Sequence, residues 1–281
     1  MNTLEKYNPF LRPLHLCNSG DFTKTHYVQQ TEFLRDHLRE LIDITTARVP
    51  GRDHDFLIER KDIPLPKERK NLSERHLEYA IYDLFKECNN SNKTESFPGI
   101  SHIPFYQFPL RASRSSLKTN KKPINLNVGW GKVDLLGCNK HGTPAVIELK
   151  IPKKNPETPL RIIVEGMAYA IAIRAMWNHP NKKFQEAWVE KIGSKPDCLC
   201  ENIEEIGIIG LAPERYWEKW RSTAPKFSDG EKTWGSATKD LLLAAKSSGF
   251  SVDFVSFDEG DATTPPSNFR VITQEFCNQT S

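Results

Sequence analysis

Apolar residues recur along this chain with two different periods, and the change of period divides it. Over residues 25–48, Val28, Phe33, Leu34, Leu38, Leu41 and Ile42 return at roughly helical spacing, which predicts an amphipathic helix. A second helix is predicted from Ser73, a residue able to act as N-cap, with His76 rather than Glu at the third helical position. It runs to about Cys88 on a stripe of Leu77, Ala80, Ile81, Leu84, Phe85 and Cys88. The polar, proline-containing stretch 49–71 separates the two helices and marks a boundary. The period then shortens. Residues 103–112, 131–139 and 144–151 are rich in β-branched and aromatic side chains, with Gly, Pro and Asn between them, and read as three strands. Asn139-Lys140-His141-Gly142 supplies a turn, so the second and third strands are expected to pair as an antiparallel hairpin. Ile151-Pro152 ends the third strand, because proline has no ladder donor.

Residues 159–177 have the length and the Ala, Ile and Met content of a well-buried helix. A helix over 181–192, a strand over 206–212, an aromatic helix over 213–220, a helix over 237–248 and a strand over 250–257 follow. This order gives an α/β fold: a mixed central β-sheet flanked by helices. The chain divides into an N-terminal helical extension and linker (1–70), a main domain (71–258) and a polar tail (259–281) expected to be loosely ordered.

Composition adds one discriminating fact. The 281 residues carry a net charge of +3, but ten Lys or Arg and only two acids lie between Arg111 and Lys154. That stretch is therefore +8 and the rest of the chain −5, which on charge alone fits the footprint of a polyanion partner and a solvated basic loop equally; the two acids that survive there favour the footprint. Arg111, Arg114, Lys118, Lys121, Lys122, Lys153 and Lys154 are the candidate phosphate contacts, joined by Arg161 on the following helix. The six cysteines are scattered, and Cys198-Leu-Cys200 lacks the spacing of a zinc site even with His179 nearby, so reduced thiols are expected. No run of residues approaches a membrane span, and the opening residues lack the features of a signal peptide, so a soluble cytoplasmic protein without membrane partners is expected.

The two acids inside the basic stretch are Asp134 and Glu148. By strand alternation Asp134 faces away from Val133 and Leu135, while Glu148 and Lys150 share a face and Leu149 points to the other. Paired as a hairpin, the strands bring both carboxylates to one edge, where they can bind a hard cation, Mg²⁺ or Mn²⁺, with the Leu149 backbone carbonyl as a third ligand. Lys150 then lies beside the metal, placed to orient a water or to offset charge on a phosphate.

An acid on one strand followed by Glu148-Leu149-Lys150 on the next resembles the PD-(D/E)XK, or restriction-endonuclease-like, superfamily. The resemblance spans residues ~71–178 in element order (helix, three strands, helix), with 206–212 continuing the sheet. It implies an αβββαβ core and metal-dependent hydrolysis of phosphodiester bonds, with DNA as the expected substrate.

 The residues after the motif look similar to the exonuclease branch of the superfamily, where the next helix carries Gln-x-x-x-Tyr. Here that helix has Glu165 and Tyr169, so an acid stands in place of the glutamine, and Val133 stands where a proline often precedes the first acid. The resemblance also implies an accessory acid from the preceding helix: Glu74 and Glu78 flank its apolar stripe, with Glu74 nearer by helical count.

Three weaker signals have plainer readings. Gly129-Trp-Gly-Lys132 lacks phosphate-loop spacing and reads as a turn, and Tyr216, Trp217 and Trp220 read as packing of a helix on the sheet before base stacking. The rival to a nuclease is a catalytically silent nucleic-acid-binding module of the same fold, against which the intact acid–acid–lysine set argues. A metal site for some other hydrolysis lacks nearby histidine ligands. RNA or DNA, endo- or exonuclease, and a homodimer or a separate targeting protein all stay open.

Overall fold

The computed structural model describes residues 14, 24–47, 49, 73–86, 96–111, 129–152, 157–192, 201–221, 224, 232–260 and 264–278. Two helices, α1 (Tyr27–Thr46) and α2 (Glu74–Phe85), precede the strands β1 (His102–Arg111), β2 (Gly129–Cys138) and β3 (Pro144–Leu149). Helices α3 (Pro159–Trp177) and α4 (Lys183–Ile192) lead to β4 (Ile206–Pro213). Then come α5 (Glu214–Glu218), α6 (Trp234–Ser247), β5 (Phe250–Asp258), β6 (Ser267–Val271) and α7 (Thr273–Cys277).

The strands form one sheet in the order β1-β2-β3-β4-β5-β6. Pairing is antiparallel from β1 to β3, parallel from β3 to β5, and antiparallel again between β5 and β6. The connections account for that pattern. Between β2 and β3 the Asn139 side chain accepts hydrogen bonds from the His141 and Thr143 amides, closing a tight turn that reverses the chain. Parallel neighbours need a crossover, and each here contains helices.

Alternation along β3 separates two cores. Val146 packs with α1, α3 and α6, whereas Ile147 packs with the Leu77, Ile81 and Phe85 stripe of α2. Helix α3 is apolar nearly all round because it lies between the sheet and α1; Ile162, Ile163 and Ala170 are fully buried. Each such isoleucine contributes roughly 1.5–3 kcal/mol of burial. Gly166 lets this helix approach β4, since a Cβ there would collide with Ile208.

Three expectations change. Helix α1 is not an appendage: Tyr27 packs edge-on against Trp234 at 4.7 Å and its hydroxyl pairs with Thr238 at 2.6 Å, so α1 shares the main core. The stretch after 259 is not loosely ordered throughout, because β6 adds to the sheet and Phe276 of α7 is fully buried beside Trp217 and Phe254. A polar composition concealed several apolar anchors, Phe269, Ile272 and Phe276 among them. Gly129-Trp-Gly-Lys132 opens β2 and is not a free turn, although Gly131 has a φ of 101°. The second helix ends at Phe85; Cys88, Cys198 and Cys200 lie outside the described residues. Among the described residues no helix is long and apolar enough to cross a membrane.

Candidate active site

The β2–β3 hairpin sets the two acids side by side. Leu136 pairs with Val146 and Leu135 with Ile147, so the next step of the antiparallel register carries Asp134 to Glu148. The Leu149 amide donates to Asp134 Oδ2 at 2.9 Å. The neighbours of Asp134 do not share one face as simple alternation predicts. Val133 packs in the core under α3, Leu135 in the core under α2, so the strand rolls over at the acid.

Lys150 follows directly at the C-terminal end of β3, and four carboxylates surround its ammonium. Glu165 lies at 3.0 Å, Glu157 at 3.4 Å, and Glu148 and Glu74 at 3.9 Å each. They come from α3, the segment before it, β3 itself and the first turn of α2. Two helices on opposite faces of the sheet therefore close on one strand end. Arg161 pairs with Glu165 one helical turn away, the arrangement that competes with phosphate contact for its guanidinium. Tyr169, a further turn along α3, is 7% exposed. Its hydroxyl approaches the chain at Gly131, where a Cβ would stand 2.6 Å from the hydroxyl oxygen.

Burial dominates the electrostatics. It pushes the Asp134 carboxyl up to about 6, against the pull of Lys150 and the Leu149 amide. It pushes Glu148 well above the usual carboxylate range, helped by the neighbouring Asp134. Burial alone would lower the Lys150 ammonium, but Glu165, Asp134, Glu148 and Glu157 together hold it well above its ordinary value. Burying an ammonium costs several kcal/mol unless paired, and here the pairing is fourfold.

Glu78 is the acid that helical counting undervalued. It is 3% exposed and accepts a hydrogen bond from the Gln107 side-chain amide. Burial and the nearby Asp134 push its carboxyl up to about 8. Glu74, the favoured accessory acid, does reach Lys150 but keeps 26% of its side chain exposed. Glu157 and Gln107 were not singled out by sequence reading. Glu157 had a weak signal, as an acid shortly before the buried helix; Gln107 had none, since nothing in its neighbours announces its backbone conformation. The side chain of Arg111, and Arg114, Lys118, Lys121, Lys122, Lys153 and Lys154 entirely, lie outside the described residues. Tyr216, Trp217 and Trp220 are buried, and the Trp217 indole donates to the Ala212 and Val255 carbonyls, so they pack the core.

The donor chemistry suits a hard divalent cation. Asp134 and Glu148 offer carboxylate oxygens, and Glu148 Oε1 is buried without a hydrogen-bond partner among the described residues. As the side chains stand, no group of three or more His, Cys, Asp or Glu among the described residues is gathered to hold a metal ion. The acids are drawn instead around Lys150. The chain matches no family model, no curated protein and no solved structure.

Proposed function

We propose that this chain is a metal-dependent nuclease of the PD-(D/E)XK kind, hydrolysing phosphodiester bonds in DNA. The observation that carries the reading is the meeting of Asp134, Glu148 and Lys150 at one end of the sheet, with α2 and α3 adding Glu74, Glu78 and Glu165. The order α2, β1, β2, β3, α3, β4, with α4 inserted before β4, is the order of a restriction-endonuclease-like αβββαβ core, which supports the same reading. β1 ends at Arg111 and β2 begins at Gly129, at the end of the sheet where β3 finishes; Arg114, Lys118, Lys121 and Lys122 fall between them in sequence, outside the described residues.

Asp134 and Glu148, with the Leu149 carbonyl, would hold Mg²⁺ or Mn²⁺. A bound divalent cation supplies Lewis-acid polarisation of the phosphate and a more acidic water. The residues themselves divide the remaining work. Lys150 offsets charge developing on the phosphate, Glu165 and Glu74 hold its ammonium in place, and Tyr169 closes the floor of the site. A second reading, a silent nucleic-acid-binding module, draws on the enclosure of Lys150 by four carboxylates, which leaves its ammonium already occupied.

The test is incubation of purified protein with linear, circular and single-stranded DNA and with RNA, in Mg²⁺, Mn²⁺ or EDTA. Cleavage that needs the metal supports the nuclease. Binding that weakens steeply with salt, without cleavage in any metal, selects the silent module.

A further inference from the structure

Three features meet at Gln107. It lies in β1 between the pairs Tyr106–Leu135 and Phe108–Val133, alongside Asp134. Its φ is 53°, a left-handed conformation that a residue with a side chain adopts at a cost and keeps only where its surroundings hold it. Its amide donates to Glu78, a carboxyl that is 3% exposed.

The backbone inversion has a visible consequence. Tyr106 packs in the core under α2, while Phe108, two residues on, packs in the core under α3. In an unbroken strand, residues two apart share a face. The inversion at Gln107 releases its own side chain from that alternation and carries the amide to α2. On the neighbouring strand the roll-over falls at Asp134, so the two irregular positions stand side by side. Local strain of this kind is retained at functional sites when it places a group that regular structure would misplace.

We propose that Gln107 is a positioning residue that holds the Glu78 carboxyl beside Asp134, making Glu78 the acid that α2 contributes to the reaction site. Glu74 is then the exposed partner of Lys150 and not the accessory acid. This inference rests on the nuclease reading, but the Gln107–Glu78 contact can be measured without any substrate.

Gln107→Gly is the discriminating variant. It removes the amide and supplies the residue that the left-handed backbone favours, so a purely conformational role would survive it. The expected result is a melting temperature at or above that of the natural chain, together with exposure of Glu78 to carbodiimide-driven coupling of an amine, mapped by peptide mass spectrometry. Cleavage in Mn²⁺ should fall on the order of ten- to a hundredfold, as when a supporting hydrogen bond behind a metal-binding group is lost. Gln107→Asn also tolerates the backbone but stops one methylene short of Glu78, so it should give the same labelling and serves if the glycine variant does not fold. Glu78 as unreactive in both variants as in the natural chain overturns the proposal, as does cleavage at the natural rate and Mn²⁺ requirement. A natural chain that cleaves no nucleic acid in any metal sinks the nuclease reading, while the labelling still decides the contact.

Discussion

Two charge networks in this protein use the same chemistry in opposite proportions. At the C-terminal end of the sheet, Arg221 lies 2.5 Å from Glu214 and 2.8 Å from Glu275, and Arg270 lies 3.0 Å and 2.7 Å from the same two acids. Two cations and two anions close a ring on the surface. Partial burial would raise Glu214, but the Ser256 hydroxyl, Arg221 and Arg270 hold its carboxyl below the usual range. Around Lys150 one buried ammonium serves four carboxylates, and Asp134, Glu148 and Glu78 all titrate upward. A balanced, exposed ring lowers the energy of the fold. A buried excess of acid raises it, and the excess is neutralised only by protons or by a cation from outside.

The largest effects should come from removing a member of the unbalanced cluster. Lys150→Ala leaves its carboxylates facing one another, so metal-free stability at pH 8 should fall by about 3–5 kcal/mol. Turnover should drop on the order of a hundred- to a thousandfold while DNA binding changes little, because the ammonium acts on charge that develops in the transition state. Asp134→Asn, nearly isosteric, should abolish cleavage and leave the fold intact. Single-turnover cleavage and urea denaturation read both variants. A Lys150→Ala protein with lost affinity and an unchanged rate per bound complex would make the lysine a docking group only.

Glu165 tests how far the cluster is shared. It touches both Arg161 and Lys150, so a neutral isostere keeps its shape but gives up one negative charge. Glu165→Gln should retain appreciable activity and need several times more Mg²⁺, whereas Glu165→Ala should lose most activity. An unchanged half-maximal Mg²⁺ concentration in Glu165→Gln would remove it from the metal's surroundings.

Much of this arrangement is legible in the sequence, and the reason is periodicity. Alternation in Glu148-Leu149-Lys150 and the turn at Asn139–Gly142 suffice to bring Asp134, Glu148 and Lys150 together, because a hairpin turns sequence distance into register. The buried character of α3 follows from its composition. The rest depends on contacts between distant segments. Nothing near Gln107 announces its left-handed backbone, Glu78 and Glu74 differ only in how α2 is rotated on the sheet, and α7 is held by Phe276 and Cys277, with Ile272 before them, among polar neighbours.

The two networks should also respond to pH with opposite signs. Glu78 rises from an ordinary 4.5 to about 8 and Asp134 from 3.8 to about 6. The folded state therefore binds more protons than the unfolded one across that interval, and metal-free stability contributed by the site falls as pH rises from about 4 to 8. The ring behaves conversely: Glu214 is lowered, so its contribution is complete above the ordinary carboxylate pKa and fades as pH falls through the lower folded value. Urea denaturation in EDTA should show lower stability at pH 8 than at pH 5, and Mg²⁺ should narrow the gap. Stability that climbs steadily from pH 5 to 8 without metal would contradict the buried acid excess.

The smallest effect belongs to the ring. Arg270 is half exposed, and its removal leaves Glu214 with Arg221 and Ser256 and leaves Glu275 with Arg221. No acid is stranded. Exposed ion pairs contribute roughly 0.2–1 kcal/mol each, so Arg270→Ala should cost about 1 kcal/mol or less. The loss should shrink further in high salt, where exposed charges are screened, and cleavage should be unaffected. Parallel urea denaturation of Arg270→Ala and Lys150→Ala at low and high salt makes the comparison directly. Equal losses would mean that charge balance and burial do not separate these two networks, and that the cluster around Lys150 is held together for stability in the same way as the ring.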